Sequence, residues 1–134
     1  MRLQTEVEPS CNFKRCSARL NTLKPYLAPG AVGAELGVFK GSFLDHLIST
    51  KPRRLYAVDP WYRGETEWPW AKGEKSTLRA LGRILDAFSE EISCGLLEPR
   101  IEFSQDFLAL LPDESLDWVY IDTTHQYEQT LTEL

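Results

Sequence analysis

The sequence has little of what metal centres and disulfide-rich domains are built from. It contains three cysteines and two histidines, and the cysteines lack the spacing of metal ligands. An odd number of cysteines in such an arrangement is typical of reduced, structural thiols. We therefore expect the three cysteines to be reduced and structural.

Long apolar runs and an excess of basic charge are also missing. No apolar run approaches the ~20 residues that a membrane-spanning helix needs, and the first ten residues do not have the order of a signal peptide. With 20 acidic and 15 basic residues the net charge is -5, which argues against a broad surface for nucleic acid. These absences predict a cytoplasmic protein that binds neither membranes nor nucleic acid.

The chain does have enough apolar content for one compact domain, with 43% hydrophobic residues in 134. Apolar runs with strand character alternate with segments whose apolar residues recur at helical spacing, which indicates an α/β architecture. An amphipathic helix at about 13–28 precedes the first strand, and we expect it to cap the sheet. Residues 1–134 are thus interpreted as one Rossmann-like domain.

Four strands and their connecting helices follow from this alternation. The predicted strands are 31–36, 54–58, 100–104 and 116–121, and the predicted helices are 43–48 with Ser42 as its cap, 74–92, 107–111 and one beginning near Gln126. Right-handed crossovers give a doubly wound parallel sheet with the strand order 3-2-1-4. Such a sheet binds its ligand beyond the carboxyl ends of the strands where the order reverses, here the first and fourth.

Acidic residues lie at or just past four predicted strand ends: Glu35, Asp59, Asp106 and Asp122. The segment after Glu35 contains Gly37 and Gly41, which let backbone N–H groups approach a ligand closely. Asp59 follows Glu35 by 24 residues, at a strand end where a carboxylate accepts hydrogen bonds from ribose hydroxyls. The structural alternative is that Glu35 and Asp59 cap turns on a polar rim.

The order of these motifs resembles the class I S-adenosylmethionine-dependent methyltransferases, particularly the methyltransferase 24 family. The resemblance runs from about Val32 to Leu134 and rests on E-x-G-x-x-x-G, YAVDPW, S-x-D and LDWVYIDTTHQY. The last motif is the most specific, because Asp122, His125 and Tyr127 stand in the register of the family. Thr123 and Thr124 stand where the usual pattern has glycine, which alters the turn that presents His125.

The resemblance implies a site for S-adenosylmethionine. It assigns the methionine end of the cofactor to Glu35, Gly37, Phe39 and Gly41, the ribose to Asp59, and the adenine to Trp61 and Asp106. Asp106 serves equally well as a helix N-cap.

The same resemblance implies His125 as a general base, with Asp122 either orienting it or helping to bind the amino group of the cofactor. Asp122 is alternatively one ligand of a Mg²⁺ ion, as in some related O-methyltransferases. The implied reaction is O-methylation of a small molecule or a sugar hydroxyl.

Two other functions remain open at this point. A nicotinamide-dependent oxidoreductase shares the fold, although it prefers a tighter G-x-G-x-x-G turn, and a non-catalytic cofactor-binding domain keeps the fold without turnover. The aromatic loop from Trp61 to Gly73 is either a lid or a cover for the sheet edge.

The resemblance also implies that the sheet is truncated before the distal strands of the family. The fourth strand would then have a bare edge, so we expect either a truncated chain or completion of the sheet by another chain, for instance in a homo-oligomer.

Overall fold

Strands and helices alternate along the chain, as the apolar pattern predicts. The computed structural model describes residues 13–61, 74–123 and 131. The elements are α1 (Phe13–Leu23), β1 (Val32–Leu36), α2 (Leu44–Ile48), β2 (Arg54–Asp59), α3 (Glu74–Ala87), α4 (Ser89–Ser93), β3 (Leu97–Ile101), α5 (Ser104–Leu110) and β4 (Trp118–Ile121). The helix expected near Gln126 lies largely outside the described residues.

The four strands form one parallel sheet in the order β3-β2-β1-β4. This confirms the predicted Rossmann-like order. In register, Leu36 at the end of β1 pairs with Val58 on one side and Ile121 on the other. The carboxyl ends of β2, β1 and β4 therefore lie side by side at one edge of the sheet. Asp59, Glu35 and Asp122 lie at or just past these three strand ends.

Helices cover both faces of the sheet because the strands are apolar on both faces. On one face Ala34, Leu36 and Val58 pack against Phe107 of α5. On the other face a larger cluster joins β2 and β3 to helices α1, α2 and α3, with the fully buried members Cys16, Leu44, Leu47, Leu55, Ile84 and Leu97. Side chains alternate along a strand, so Glu35 points into this second, larger layer.

The first helix is shorter than the expected 13–28. It ends at Leu23, and a 3-10 turn follows over Lys24–Tyr26 with a proline at its start. Pro25 has no backbone N–H and its ring clashes with the preceding turn, so it ends an α-helix. The predicted end at Pro29 is therefore wrong, because Pro25 stops the α-helix earlier.

Three further boundaries differ from the predictions. The expected helix 74–92 is two helices, α3 and α4, separated at Phe88 with φ −111° and ψ 25°. Strand β3 begins three residues earlier than expected and contains Pro99, which an edge strand tolerates because one side of it donates no ladder bonds. The N-cap of α2 is Phe43 rather than Ser42, and Phe43 makes no side-chain capping bond.

The cysteines also differ from expectation in part. Cys94 is free, as predicted, and exposed, whereas Cys16 is disulfide-bonded and buried. Sequence spacing does not show which cysteine pairs approach closely enough to be bridged. Among the described residues, no helix combines the length and apolarity needed to cross a membrane.

Gly33 sets the fit between β1 and β4, which generates a first prediction. A Cβ at Gly33 would lie 2.1 Å from Cε2 of Trp118, its register partner. Gly33→Ala must displace this ring, so we expect the free energy of unfolding to fall by about 1–3 kcal/mol, measured by urea denaturation.

Gly82→Ala is the matched control for Gly33→Ala. Gly82 lies in α3 and a Cβ there meets nothing within 4 Å. Alanine is the better helix former, so this variant should be more stable by up to about 1 kcal/mol. Equal stability changes at the two glycines would contradict the packing described for Trp118.

Candidate functional site

The carboxyl ends of β1, β2 and β4 bring three of the four predicted acids together. Glu35 is the central one, and the negative charges of Asp122 and Asp59 both act on it, raising its pKa. The fourth acid, Asp106, lies in the first turn of α5 and is exposed. Phe103 occupies the N-cap position of that helix, so the N-cap alternative for Asp106 is wrong.

Glu35 is buried to an unusual degree for a carboxylate. Its relative exposure is 2%, and its Oε2 has no hydrogen-bond partner among the described residues. Burial is the largest cause that raises the pKa of Glu35 well above its usual 4.5, with Asp122 and Asp59 adding to it and the charge of Arg19 opposing it. A buried acceptor without a partner costs free energy, and such a group is a candidate for binding a ligand.

Asp59 fastens the turn after β1 to the end of β2. Its Oδ2 accepts hydrogen bonds from the backbone N–H groups of Val38 (3.0 Å) and Phe39 (2.9 Å), and its Oδ1 accepts one from Trp61 (2.7 Å). Burial raises the pKa of Asp59 above its usual value, and the hydrogen bonds from these three N–H groups offset part of this increase. Asp59 thus does cap a turn, as the structural alternative proposed.

Trp61 strengthens the same connection between the two turns. The residue is 1% exposed, and its indole Nε1 donates to the carbonyl oxygen of Phe39 at 2.9 Å. Both residues have left-handed backbones, with φ 42° at Trp61 and φ 48° at Phe39, a strained conformation for aromatic residues. In this conformation the Trp61 ring belongs to the core, while Phe39 is half-buried.

The two glycines of the turn serve the fold in this structure. Gly37 has φ 88°, and a Cβ there would lie 2.2 Å from the carbonyl oxygen of Asp122. Its N–H donates to the Val58 carbonyl oxygen at 2.8 Å, and the N–H of Gly41 donates to that of Val38 at 2.9 Å. The close approach of β1 to β4 therefore requires glycine at position 37.

Three residues that the sequence analysis missed lie beside these acids, namely Arg19, Phe43 and Tyr120. The Arg19 side chain on α1 reaches Asp122 Oδ2 at 3.5 Å, and its guanidinium carbon lies 5.6 Å from the Phe43 ring centre and 5.9 Å from that of Tyr120. Burial and Asp122 raise the pKa of Tyr120 to about 12. The sequence did contain a signal for Arg19, because a charged residue between Cys16 and Leu23 on the apolar stripe of α1 is unusual.

The remaining predicted residues are placed only in part. His125 and Tyr127 lie outside the described residues, as do residues 62–73 of the aromatic loop. Asp122 follows β4, and its N–H donates to the Leu36 carbonyl oxygen at 2.8 Å. Within residues 13–61 and 74–123, no group of three or more potential ligands is arranged to hold a metal ion.

Comparison with known proteins identifies one protein family. A family model described as a methyltransferase domain, of the methyltransferase 24 type, matches residues 31–134. No curated protein matches the chain significantly.

Solved structures share the fold at low sequence identity. An rRNA methylase from Streptococcus thermophilus has a TM-score of 0.59 and 14% identity, over 92% of this chain and 63% of that one. A protein from Streptococcus mutans described as a methyltransferase, in complex with SAH, has a TM-score of 0.54 and 11% identity, over 87% of this chain and 60% of that one. A protein from Clostridium thermocellum described as an rRNA-methylase has a TM-score of 0.56 and 11% identity, over 87% of this chain and 60% of that one. The chain thus spans less than two thirds of the length of each.

The burial of Glu35 predicts a pH-dependent stability. Because its pKa is raised on folding, its contribution to stability is fully present below the unfolded pKa and is lost as pH rises through the folded pKa. Glu35→Gln removes this loss, about 1.4 kcal/mol for each unit of pKa difference. We expect the variant to be more stable than the parent protein at neutral pH and closer to it at pH ~4, measured by urea denaturation. A parent protein whose stability rises relative to the variant with pH would contradict the assignment.

Asp59 is predicted to be needed for stability. Asp59→Ala leaves the N–H groups of Val38, Phe39 and Trp61 without their acceptor, and we expect the free energy of unfolding to fall by about 2–4 kcal/mol. The control is Asp86→Ala, at an exposed position of α3, which should change it by less than about 0.5 kcal/mol. Similar values for the two variants in chemical denaturation would show that Asp59 does not fasten the turn.

Proposed function

The chain belongs to the methyltransferase 24 family, and on this premise we propose that it binds S-adenosylmethionine and transfers the methyl group to an acceptor hydroxyl. The observation that carries the proposal is Glu35 Oε2, a buried acceptor without a partner among the described residues. It lies where β1 and β4 end, the position at which sheets of this strand order bind ligands. Membership of the family favours this function over the nicotinamide-dependent alternative.

The charges at this edge suit the methionine end of the cofactor. S-adenosylmethionine carries a positive sulfonium and a positive ammonium group beside one carboxylate. Glu35, Asp59 and Asp122 present negative charge at one place, and a ligand ammonium beside Glu35 would supply its missing partner. An opposite charge favours the ionised carboxylate and offsets the cost of burying it.

Asp59 keeps one acceptor position for the ribose. A carboxylate has about four lone-pair positions, and three of them are directed at the N–H groups of Val38, Phe39 and Trp61. The fourth is on Oδ1, is not used by any of the described residues, and would accept a hydrogen bond from one ribose hydroxyl. We therefore propose that Asp59 holds the turn and binds the ribose with the same carboxylate. Gly37, Phe39 and Gly41 are proposed to line the methionine end, and Trp61 and Asp106 to lie near the adenine. The Trp61 side chain, which is buried in the core, would have to turn outward to pack on the ligand.

Transfer requires positioning more than side-chain chemistry. S-adenosylmethionine supplies an electrophilic methyl group, which an acceptor oxygen attacks in line with the departing sulfur. The acceptor hydroxyl loses its proton, and we propose His125 as the base and Asp122 as the residue that orients it. A Mg²⁺ ion bound in part by Asp122 is the alternative way to lower the pKa of that hydroxyl.

The acceptor is proposed to be a small molecule or a sugar hydroxyl. Ribosomal RNA is the second candidate, since two of the structural neighbours are described as rRNA methylases. The net charge of -5 favours the small molecule. The single domain over 1–134, the cytoplasmic location and a homo-oligomer that covers the β4 edge remain predictions.

Glu35→Gln tests the proposal because its expected effects on stability and binding have opposite signs. In calorimetric titration the parent protein should bind S-adenosylmethionine and S-adenosylhomocysteine but not NAD. The variant should be the more stable protein and yet bind both adenosyl ligands about tenfold or more weakly, because the ammonium loses a charged acceptor. Unchanged affinity would show that Glu35 does not bind the ligand, and binding of NAD alone would favour the oxidoreductase.

A further inference from the structure

Arg19 reaches the site from a part of the chain that the family model does not include. The model matches residues 31–134, whereas Arg19 lies in α1. Its charge acts on Glu35, where it lowers the pKa that burial and two neighbouring acids raise. This helix therefore supplies a cation to an edge of the sheet where three acids meet.

Two aromatic rings hold the guanidinium in place. The Phe43 and Tyr120 rings lie 5.0 Å apart, and the guanidinium carbon is within 6 Å of both ring centres, the range of a cation–π interaction. The arginine side chain is thereby ordered before any ligand binds, which lowers the entropic cost of using it.

The ion pair with Asp122 leaves much of the guanidinium available. The Nη1–Oδ2 distance is 3.5 Å, and the two side chains are 34% and 37% exposed. An exposed pair at this distance stabilises a fold by about 1 kcal/mol or less. A guanidinium has five N–H donors, and its polar contacts among the described residues are with Asp122 and Tyr120. Stability alone is thus a weak reason for a charge on the apolar stripe of α1.

We propose that Arg19 binds the carboxylate of the methionine end of S-adenosylmethionine. This rests on the proposed function, which places that end of the cofactor beside Glu35. Glu35, Asp59 and Asp122 suit the two positive groups of the cofactor but repel its carboxylate. A guanidinium pairs with a carboxylate through two parallel N–H···O bonds, and Arg19 is a half-buried cation at this position.

The test compares two ligands that differ in this carboxylate alone, S-adenosylmethionine and decarboxylated S-adenosylmethionine. The parent protein should bind the first more tightly. Arg19→Ala should weaken S-adenosylmethionine by about tenfold or more, leave the decarboxylated ligand within about threefold, and so abolish the preference. Arg19→Lys keeps the charge and should retain part of it. Arg15→Ala, an exposed position one turn earlier in α1, is the control and should bind as the parent does.

The outcomes separate this inference from the proposed function. An equal loss of affinity for both ligands, or no loss, would overturn the role of Arg19 while S-adenosylmethionine binding by the parent protein upheld the cofactor. If the parent protein binds neither ligand, the proposed function fails, and the role of Arg19 fails with it. Thermal denaturation of each variant shows that it is folded. Should Arg19→Ala not fold, Arg19→Gln provides the neutral comparison, with the same expected loss of preference.

Discussion

The convergence of three backbone N–H groups on the Asp59 carboxylate determines the shape of the site. Its three hydrogen bonds join the turn after β1 to the end of β2, together with those from the Gly37 N–H to Val58 and from the Trp61 indole to Phe39. The left-handed backbones of Phe39 and Trp61 are strained, and the same hydrogen bonds, with the Trp61 indole bond, hold them in place. One side chain therefore fixes the edge of the sheet against which Glu35 is buried.

Around this fixed turn the chain holds charges that a fold alone does not require. Glu35 is 2% exposed with an unpartnered oxygen, and Arg19 stands on the apolar stripe of a helix. The burial of Glu35 costs stability in the free protein and the ion pair of Arg19 adds little to it, whereas both side chains interact favourably with a ligand of matching charges. A zwitterionic amino-acid group beside a sulfonium has that pattern of charges. The site thus combines a rigid turn with side chains whose partners come from the ligand.

Strand order and the acidic strand ends could be predicted from the sequence because both follow from local patterns. Alternating apolar runs give the α/β order, and right-handed crossovers then give 3-2-1-4. Glu35 and Asp59 could be located by their place at strand ends. Their partners could not, because the contact of Asp59 with Val38 and the packing of Trp118 on Gly33 join residues that are 21 and 85 positions apart, respectively. Arg19 was missed since a helical pattern shows its face but not what it meets.

A structure of the protein bound to S-adenosylhomocysteine would test the central claim most directly, namely that Glu35 is buried to bind the amino-acid end of the cofactor. This ligand keeps the ammonium and the carboxylate of the methionine end. We expect the ammonium nitrogen at about 2.8 Å from Glu35 Oε2, with a ribose hydroxyl hydrogen-bonded to Asp59. A ligand whose ammonium lies away from Glu35, with Oε2 still unpartnered, would contradict it.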